Sequence, residues 1–399
     1  MVKSPAPARL DVPLAAAVAR TGSSAIRDLL EITERPDVLS LAGGLPAPDG
    51  FPTDALAAAT SAVLADDPRG ALQYGATEGY RPLRSWVADR YGAGVDEVTV
   101  THGSQQALEL LARATTDPGG VIALADPGYV GAIQAFRAAG ASLAGIASDG
   151  DGLCVDHLAD RLAAGMRPTL VYVVAEFDNP TGATLSTERR AALAALADRY
   201  GFWIVDDDPY GTLRWAGTRP TALRALSDRV ISIGTTSKML CPGLRVGWAV
   251  APAELSRAIV VLKQAADLHT GSLSQQVVHR LVARTDGWLD AHLDDVRVRY
   301  RDQAEVLVEE LGRQVGDRLT FRRPEGGMFL WATVDGTARA GDTSTLLDRA
   351  LARGVAFVPG RAFGVESDHP RALRLSFATT GSADLAEAVR RLGAALDDT

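Results

Sequence analysis

The sequence predicts an α/β protein in which a largely parallel sheet, covered by helices on both faces, is followed by a smaller α+β domain. Three observations carry that prediction. Short, strongly apolar segments alternate with helix-like ones from Asp54 onward, the pattern of a sheet buried on both faces. With 399 residues and 47% hydrophobic composition, the chain exceeds the size at which a single core keeps growing. After residue 290 the pattern changes to long, charged amphipathic helix interleaved with strand-like runs.

Taken in order, residues 1–20 read as a flexible arm and SSAIRDLLEITER (23–35) as a helix with an apolar stripe at Ile26, Leu29 and Leu30. LAGGLPAPDGFP (41–52) changes regime, its glycines and prolines suiting a turning backbone near a site or joint. GSQQALELLARAT (103–115) predicts a helix, GVIALAD (120–126) a strand and YVGAIQAFRAAG (129–140) a helix. RPTLVYVVAEF (167–177) is strand-like, and STERRAALAALADRYG (186–201) is a helix with Ser186 or Thr187 as its cap. FWIVDDDPY (202–210) and RVISIGTTSK (229–238) each run from strand into loop. LDDVRVRYRDQAEVLVEELGRQV (293–315) is helical, and GGMFLWATVDG, GVAFVPGRAFG and RALRLSFAT bring the strands of the second domain. Loops at the ends of parallel strands converge, so polar residues far apart in sequence can share one site.

Composition narrows the function. The formal net charge of -8 is spread through the chain without a basic stripe, which disfavours nucleic acid or an anionic membrane as partner. Cys154 and Cys241 are widely spaced and lack metal-ligand company, so neither a disulfide framework nor a metal site is expected. The apolar patch near the N-terminus contains Asp11 and is broken by Arg20, and no run approaches the roughly 18 apolar residues of a membrane span. The expectation is a cytoplasmic enzyme.

Lys238 follows Thr235, Thr236 and Ser237 and precedes Pro242, Gly243, Arg245 and Gly247. An ammonium becomes a nucleophile when desolvation or nearby positive charge lowers its pKa from roughly 10.4, because only the neutral amine attacks a carbonyl. Hydroxyls and Arg245 around such a lysine suit a carbonyl cofactor bearing an anion, such as pyridoxal phosphate. Asp207 at a strand end can pair with a pyridinium nitrogen, while Asn179 in EFDNPTG and Tyr210 in the next loop can donate to a phenolic oxygen. Gly103, Ser104 and Gln105 open a helix whose free N–H groups can cradle phosphate. Tyr129 in DPGYVGA can stack on a flat ring. Each has a plainer alternative when taken singly: a solvated acidic turn, an Asn-capped helix, a protein-only cap, a structural aromatic.

Together, GSQQALELL, DPGYVGA, NPTG, DDDPYGTLRW, TTSKMLCPGLRVGW and RLSFA closely resemble the fold-type-I pyridoxal-phosphate aminotransferases, in order and spacing, over nearly the whole chain. The resemblance implies a large domain with a mostly parallel seven-stranded sheet (54–290), a small α+β domain (291–399), and an entrance helix and lid segment (21–53) associated with the latter. It implies a homodimer with active sites at the interface, and a ping-pong exchange of the amino group between an L-amino acid and a 2-oxo acid. Lys238 matches the cofactor-bonding lysine, Asp207 the partner of the pyridine nitrogen, and Asn179 and Tyr210 the contacts to the phenolic oxygen. Gly103, Ser104, Gln105, Thr235 and Arg245 match the phosphate cup, and Tyr129 the stacking aromatic. Tyr74, in LQYGATEGYRPLR, matches a residue reaching the neighbouring subunit's phosphate, its plainer role being to fill its own subunit's core. Arg374 matches the arginine that receives the substrate α-carboxylate, and Gly44 a backbone contact from the lid.

The likeness is greatest to the aminoadipate, kynurenine and broad aromatic or branched-chain subgroup, in which Arg27 matches a position that can meet a distal carboxylate, its plainer role being a solvated helix charge. Ala175 and Asp178 stand where proline and glutamine are common, and Thr235-Thr236-Ser237 replaces a phenylalanine-containing approach to the lysine. The added carboxylate of Asp178 raises the expectation of an altered side-chain preference. The same anchors also serve a β-lyase, decarboxylase, racemase or oxygen-using deaminase. A non-catalytic sensing module is disfavoured, because the resemblance begins near residue 20 and leaves no stretch for a DNA-reading domain.

Overall fold

The computed structural model describes residues 35, 37–335 and 342–397. The predicted arm, most of the predicted helix at 23–35, and Arg27 lie outside them. The described chain opens with β1 (Leu39–Ser40), α1 (Thr53–Asp66), α2 (Pro68–Leu72), α3 (Arg81–Tyr91), β2 (Val98–Thr101) and α4 (Ser104–Thr115). It continues through β3 (Val121–Asp126), α5 (Val130–Ala138), β4 (Ser142–Asp149), β5 (Gly152–Leu153), α6 (Val155–Ala163), β6 (Pro168–Val173), α7 (Thr187–Tyr200) and β7 (Trp203–Asp207). Then come β8 (Val230–Thr235), β9 (Gly247–Val250), α8 (Ala253–Ala266), α9 (Ser272–Val282) and the long α10 (Trp288–Gln314). The last part holds β10 (Leu319–Phe321), β11 (Phe329–Val334), α11 (Thr343–Ala352), β12 (Val355–Ala356), β13 (Val358–Pro359), β14 (Ala372–Ser376) and α12 (Ser382–Asp397).

The large sheet has the order β2-β9-β8-β7-β6-β3-β4-β5. Strands β3, β4, β6, β7 and β8 pair in parallel, while β9 runs antiparallel between β8 and β2. The eighth strand, β5, is a two-residue antiparallel addition to the β4 edge, too short to leave an apolar pattern in sequence. One face packs on α4, α5 and α8 through Leu108, Phe136, Tyr172, Ile233 and Ile259. The other carries α1, α3 and α9 at one end and α6 and α7 at the other. Cross-strand register sends adjacent residues to opposite faces, and that alternation decides which of the three consecutive aspartates looks into the crevice.

Ser186 caps α7 by accepting the Arg189 N–H at 3.3 Å. The strand expected over 167–177 stops at Val173. Beyond it the Ala175 carbonyl accepts instead from Leu185 N–H and from the Arg190 guanidinium at 2.8 Å, so the backbone is satisfied outside the ladder and leaves the sheet as a loop.

A four-stranded antiparallel sheet, β10-β11-β14-β13, forms the second layer. β1 pairs with β12 in parallel, Leu41 N–H donates to Ala356 and Ser376 N–H donates to Leu41. The segment after β1 is thereby laid along the second sheet, pointing residues 42–45 into the crevice between the two layers.

Candidate active site

The crevice lies at the C-terminal ends of β6, β7 and β8, where connections leave the sheet. Lys238 sits three residues beyond β8. Its Nζ donates to the Gly44 carbonyl at 2.8 Å. Burial, then the positive charges of Arg374 and Arg245, pull the amine down to about 8. At neutral pH a useful fraction is therefore the nucleophilic form.

Asp207 ends β7 and faces the same side as Tyr172, whose hydroxyl donates to Oδ2 at 3.0 Å. Burial pushes the carboxyl up to about 7, opposed by Tyr172 and reinforced by Asp208 and Asp206. Its other oxygen, Oδ1, is buried without a hydrogen bond, so it has an open position for a donor from the crevice.

Arg374, on β14, is 2% exposed. Nη1 donates to Asn179 Oδ1 at 2.8 Å and Nη2 to the Ala42 carbonyl at 2.6 Å. The guanidinium lies 4.2 Å from the Phe329 ring centre and 5.0 Å from that of Phe363, which holds its plane. Because Asn179 spends its oxygen on Arg374, its NH₂ is the group left for another acceptor. Gly44 is set by this packing, since a Cβ there would approach Phe329 Cζ to 3.3 Å. Tyr210 is buried edge-on against Phe329, ring centres 5.8 Å apart, and burial raises its hydroxyl pKa.

The anion-binding end is built on backbone. Gly103, at φ 74°, is the N-cap of α4. A Cβ there would meet Arg245 Nη2 at 2.6 Å, so glycine lets the guanidinium close over the helix start. Gly247 does the same for β9, where a Cβ would lie 2.8 Å from Ser104 N. Arg245, itself at φ 52°, donates to the Pro242 and His102 carbonyls at 3.3 Å. Thr235 Oγ1 donates to Ser237 Oγ at 2.9 Å. The side chain of Gln105 is committed elsewhere, donating to the Gly131 carbonyl at 2.7 Å and accepting from the Tyr129 hydroxyl at 3.5 Å. Gln105 therefore offers the crevice a helix N–H rather than its amide.

Lys238, Asp207, Asn179, Tyr210, Tyr129, Arg374 and Gly44 are thus gathered in one crevice, with Gly103, Ser104, Gln105, Thr235 and Arg245 at one end. Tyr74 is apart from it, 78% exposed and edge-on to His269, so it does not fill its own core. Asp178 is engaged within its own turn: Thr181 Oγ1 donates to its Oδ2 at 2.8 Å, burial pushes the carboxyl up to about 6, and its charge bears on Tyr210 and Tyr172. Tyr172, Phe329, Phe363 and the Ala42 carbonyl were not singled out from sequence. A tyrosine within an apolar strand is the one available signal, because a buried hydroxyl needs a partner.

The donor set fits pyridoxal phosphate. The open oxygen of Asp207 suits a protonated ring nitrogen, the amine of Lys238 an aldehyde, and the Gly103–Arg245 cradle a phosphate.

Comparison with known proteins agrees with this geometry. The family model described as aminotransferase class I and II matches residues 36–392. A 2-aminoadipate transaminase of Thermus thermophilus is 41% identical over 383 residues, 94% of this chain and 94% of its own. An aromatic-amino-acid aminotransferase of Thermococcus litoralis is 38% identical over 382 residues, 93% of this chain and 90% of its own. The crystal structure of the α-aminoadipate aminotransferase of Thermus thermophilus, complexed with N-(5'-phosphopyridoxyl)-L-leucine, superposes with a TM-score of 0.88 at 39% identity, over 96% of this chain and 97% of that one.

Proposed function

From the premise that this chain belongs to the class I and II aminotransferases, and is a pyridoxal-phosphate-dependent enzyme of fold type I that exchanges amino groups by a ping-pong mechanism, we propose which residues carry the reaction. The observation that carries the assignment is Lys238: a half-buried amine bonded to the Gly44 carbonyl and pulled down to about 8, in the same crevice as an aspartate with one oxygen open.

When bound, the cofactor supplies an aldehyde carbon that ferries the amino group and a ring that disperses negative charge from the substrate Cα. Lys238 would hold it covalently and, with its amine freed by a substrate amine, would be the group placed to take and return a proton at the substrate Cα. Asp207 would pair with the ring nitrogen and favour its protonated form, a cation that would in turn favour the ionised carboxylate. The Asn179 amide and Tyr210 hydroxyl would donate to the phenolic oxygen, and Tyr129 would pack against the ring. The N–H groups at Gly103, Ser104 and Gln105, with Thr235 and Arg245, hold the phosphate. Arg374 would take the substrate α-carboxylate in a paired fork and, with Gly44, would orient the substrate in the crevice.

We further propose a cytoplasmic homodimer. Support comes from Tyr74, a large exposed aromatic with no role in its own crevice, poised to complete the phosphate site of a second copy. The domain division 54–290 and 291–399, with 21–53 joined to the small domain, is supported by the β1–β12 pairing. As substrates we propose 2-aminoadipate, aromatic and leucine-like amino acids, the classes in the names of the relatives. Arg27 is proposed to meet a distal carboxylate.

The test is a panel of amino acids, glutamate and cationic ones included, with absorbance reporting conversion of bound pyridoxal phosphate to the pyridoxamine form. Lys238→Ala is expected to lose all turnover; full activity in that variant would remove the assignment. Sedimentation of wild type and Tyr74→Ala, with cofactor affinity measured in each, tests the dimer.

A further inference from the structure

The rear face of the large sheet, turned away from the crevice, is covered by two helix groups that do not share a core. One covers Val98, Val100 and Val250 with α1, α3 and α9; the other covers Val171, Val173 and Ile204 with α6 and α7. Near this seam lies a cavity of about 1000 Å³.

Its floor breaks the rule for central strands, whose rear positions are otherwise apolar. Register places Asp206 beside Ser232, and Gly234 beside Trp248. A Cβ on Gly234 would come within 2.4 Å of Trp248 Nε1, so glycine is what lets the indole lie across the strand. Ser232 is only 4% exposed, yet its hydroxyl forms no hydrogen bond among the described residues. Asp206 has neither hydrogen bond nor ion pair among them. The indole N–H of Trp248 reaches toward the Tyr91 hydroxyl without good hydrogen-bond geometry.

The walls decide the sign of the ligand. Arg190 donates to the Leu185, Thr221 and Ala175 carbonyls and lies 3.7 Å from Glu176. Arg219 bridges Glu176 and Asp208 at 2.8 and 2.6 Å, and Arg224 holds Glu97 at 2.8 Å. Arg90, at the exposed rim, lies over the Trp86 ring. An anion would find Arg219 and Arg224 held in ion pairs, whereas a cation would find the Asp206 carboxylate with no hydrogen bond or ion pair among the described residues, under only the longer-range charge of Arg190 and Arg219. A bare metal ion is poorly served, because no group of three His, Cys, Asp or Glu able to hold one occurs among the described residues. An ammonium brings several donors, matching a carboxylate and a hydroxyl together, and the aromatic rings of Trp248 and Tyr91 suit its alkyl chain. The volume is that of a small-molecule site.

We propose that this rear cavity is a second ligand site, taking an aliphatic ammonium compound that pairs with Asp206 and donates to Ser232. The experiment is calorimetric titration of the holoenzyme with 1,4-diaminobutane, after borohydride reduction has fixed the cofactor so that the amine cannot exchange with it. Saturable one-to-one binding is expected, weakened at least about tenfold by Asp206→Asn, as for loss of one charge-assisted hydrogen bond. Absence of saturation at millimolar diamine, or equal affinity in a folded Asp206→Asn protein, overturns the proposal. Should that variant not fold, Ser232→Val, which restores the rear-face pattern, must weaken binding, and unchanged affinity there is equally fatal.

Discussion

Tyr172→Phe removes one oxygen and leaves the ring in place against Phe136, edge-on with centres 5.6 Å apart. The lost hydroxyl is the only hydrogen-bond donor to the Asp207 carboxylate among the described residues. Since that bond favours the ionised form, its removal pushes the carboxyl above its present value of about 7. A hydrogen bond to a charged group is worth about 1.5–3 kcal/mol, or about one to two pKa units. The partner of the ring nitrogen is weakened by the same amount, so affinity for pyridoxal phosphate should fall about tenfold to a hundredfold. Absorbance titration of the apoenzyme with cofactor, at several pH values, measures this directly. Cofactor affinity within twofold of wild type would refute the argument that Tyr172 sustains the charge on Asp207.

Arg374→Lys replaces a fork held at two points by a single ammonium that cannot reach both Asn179 and Ala42; kcat/KM for amino acids should drop roughly hundredfold, about 2–3 kcal/mol, with KM rising. Gly103→Ala places a Cβ 2.6 Å from Arg245 Nη2 at φ 74°, costing about 1–2 kcal/mol, and should weaken pyridoxal phosphate while leaving phosphate-free pyridoxal nearly unaffected. Asp126 accepts the N–H groups of Val365, Glu366 and Ser367, with His369 Nε2 2.6 Å away, and these partners outweigh burial to hold its carboxyl at about 2. A depressed folded value contributes stability above the ordinary pKa that is lost as pH falls from about 4 through 2. Asp126→Asn should therefore cost about 2 kcal/mol at pH 7 by urea denaturation, the difference from wild type narrowing below pH 4.

The crevice was legible where its chemistry sits on consecutive residues. Lys238 with its hydroxyl neighbours, Asp207 at a strand end and the glycine-led start of α4 each carry their own local signature. Tyr172 was not legible, because its role arises from the register of β6 on β7, which brings it beside an aspartate 35 residues away. Phe329 and Phe363 read as ordinary core, and only the fold sandwiches Arg374 between them. The Ala42 carbonyl is backbone and leaves no mark in composition. Asp178, which raised the expectation of an altered side-chain preference, accepts from Thr181 in its own turn, a local competition that composition cannot show. The parallel strands followed from their apolar runs, whereas β5 is two residues long and owes its existence to the hairpin beside it.

The peptide oxygen of Ala42 acts as an understudy. It holds the Arg374 guanidinium where a carboxylate would bind, so an arriving amino acid trades one hydrogen bond for another instead of collecting a windfall. Such a swap keeps the ground state shallow and lets the first keto product leave promptly, which a catalyst that must discharge one molecule before accepting the next requires.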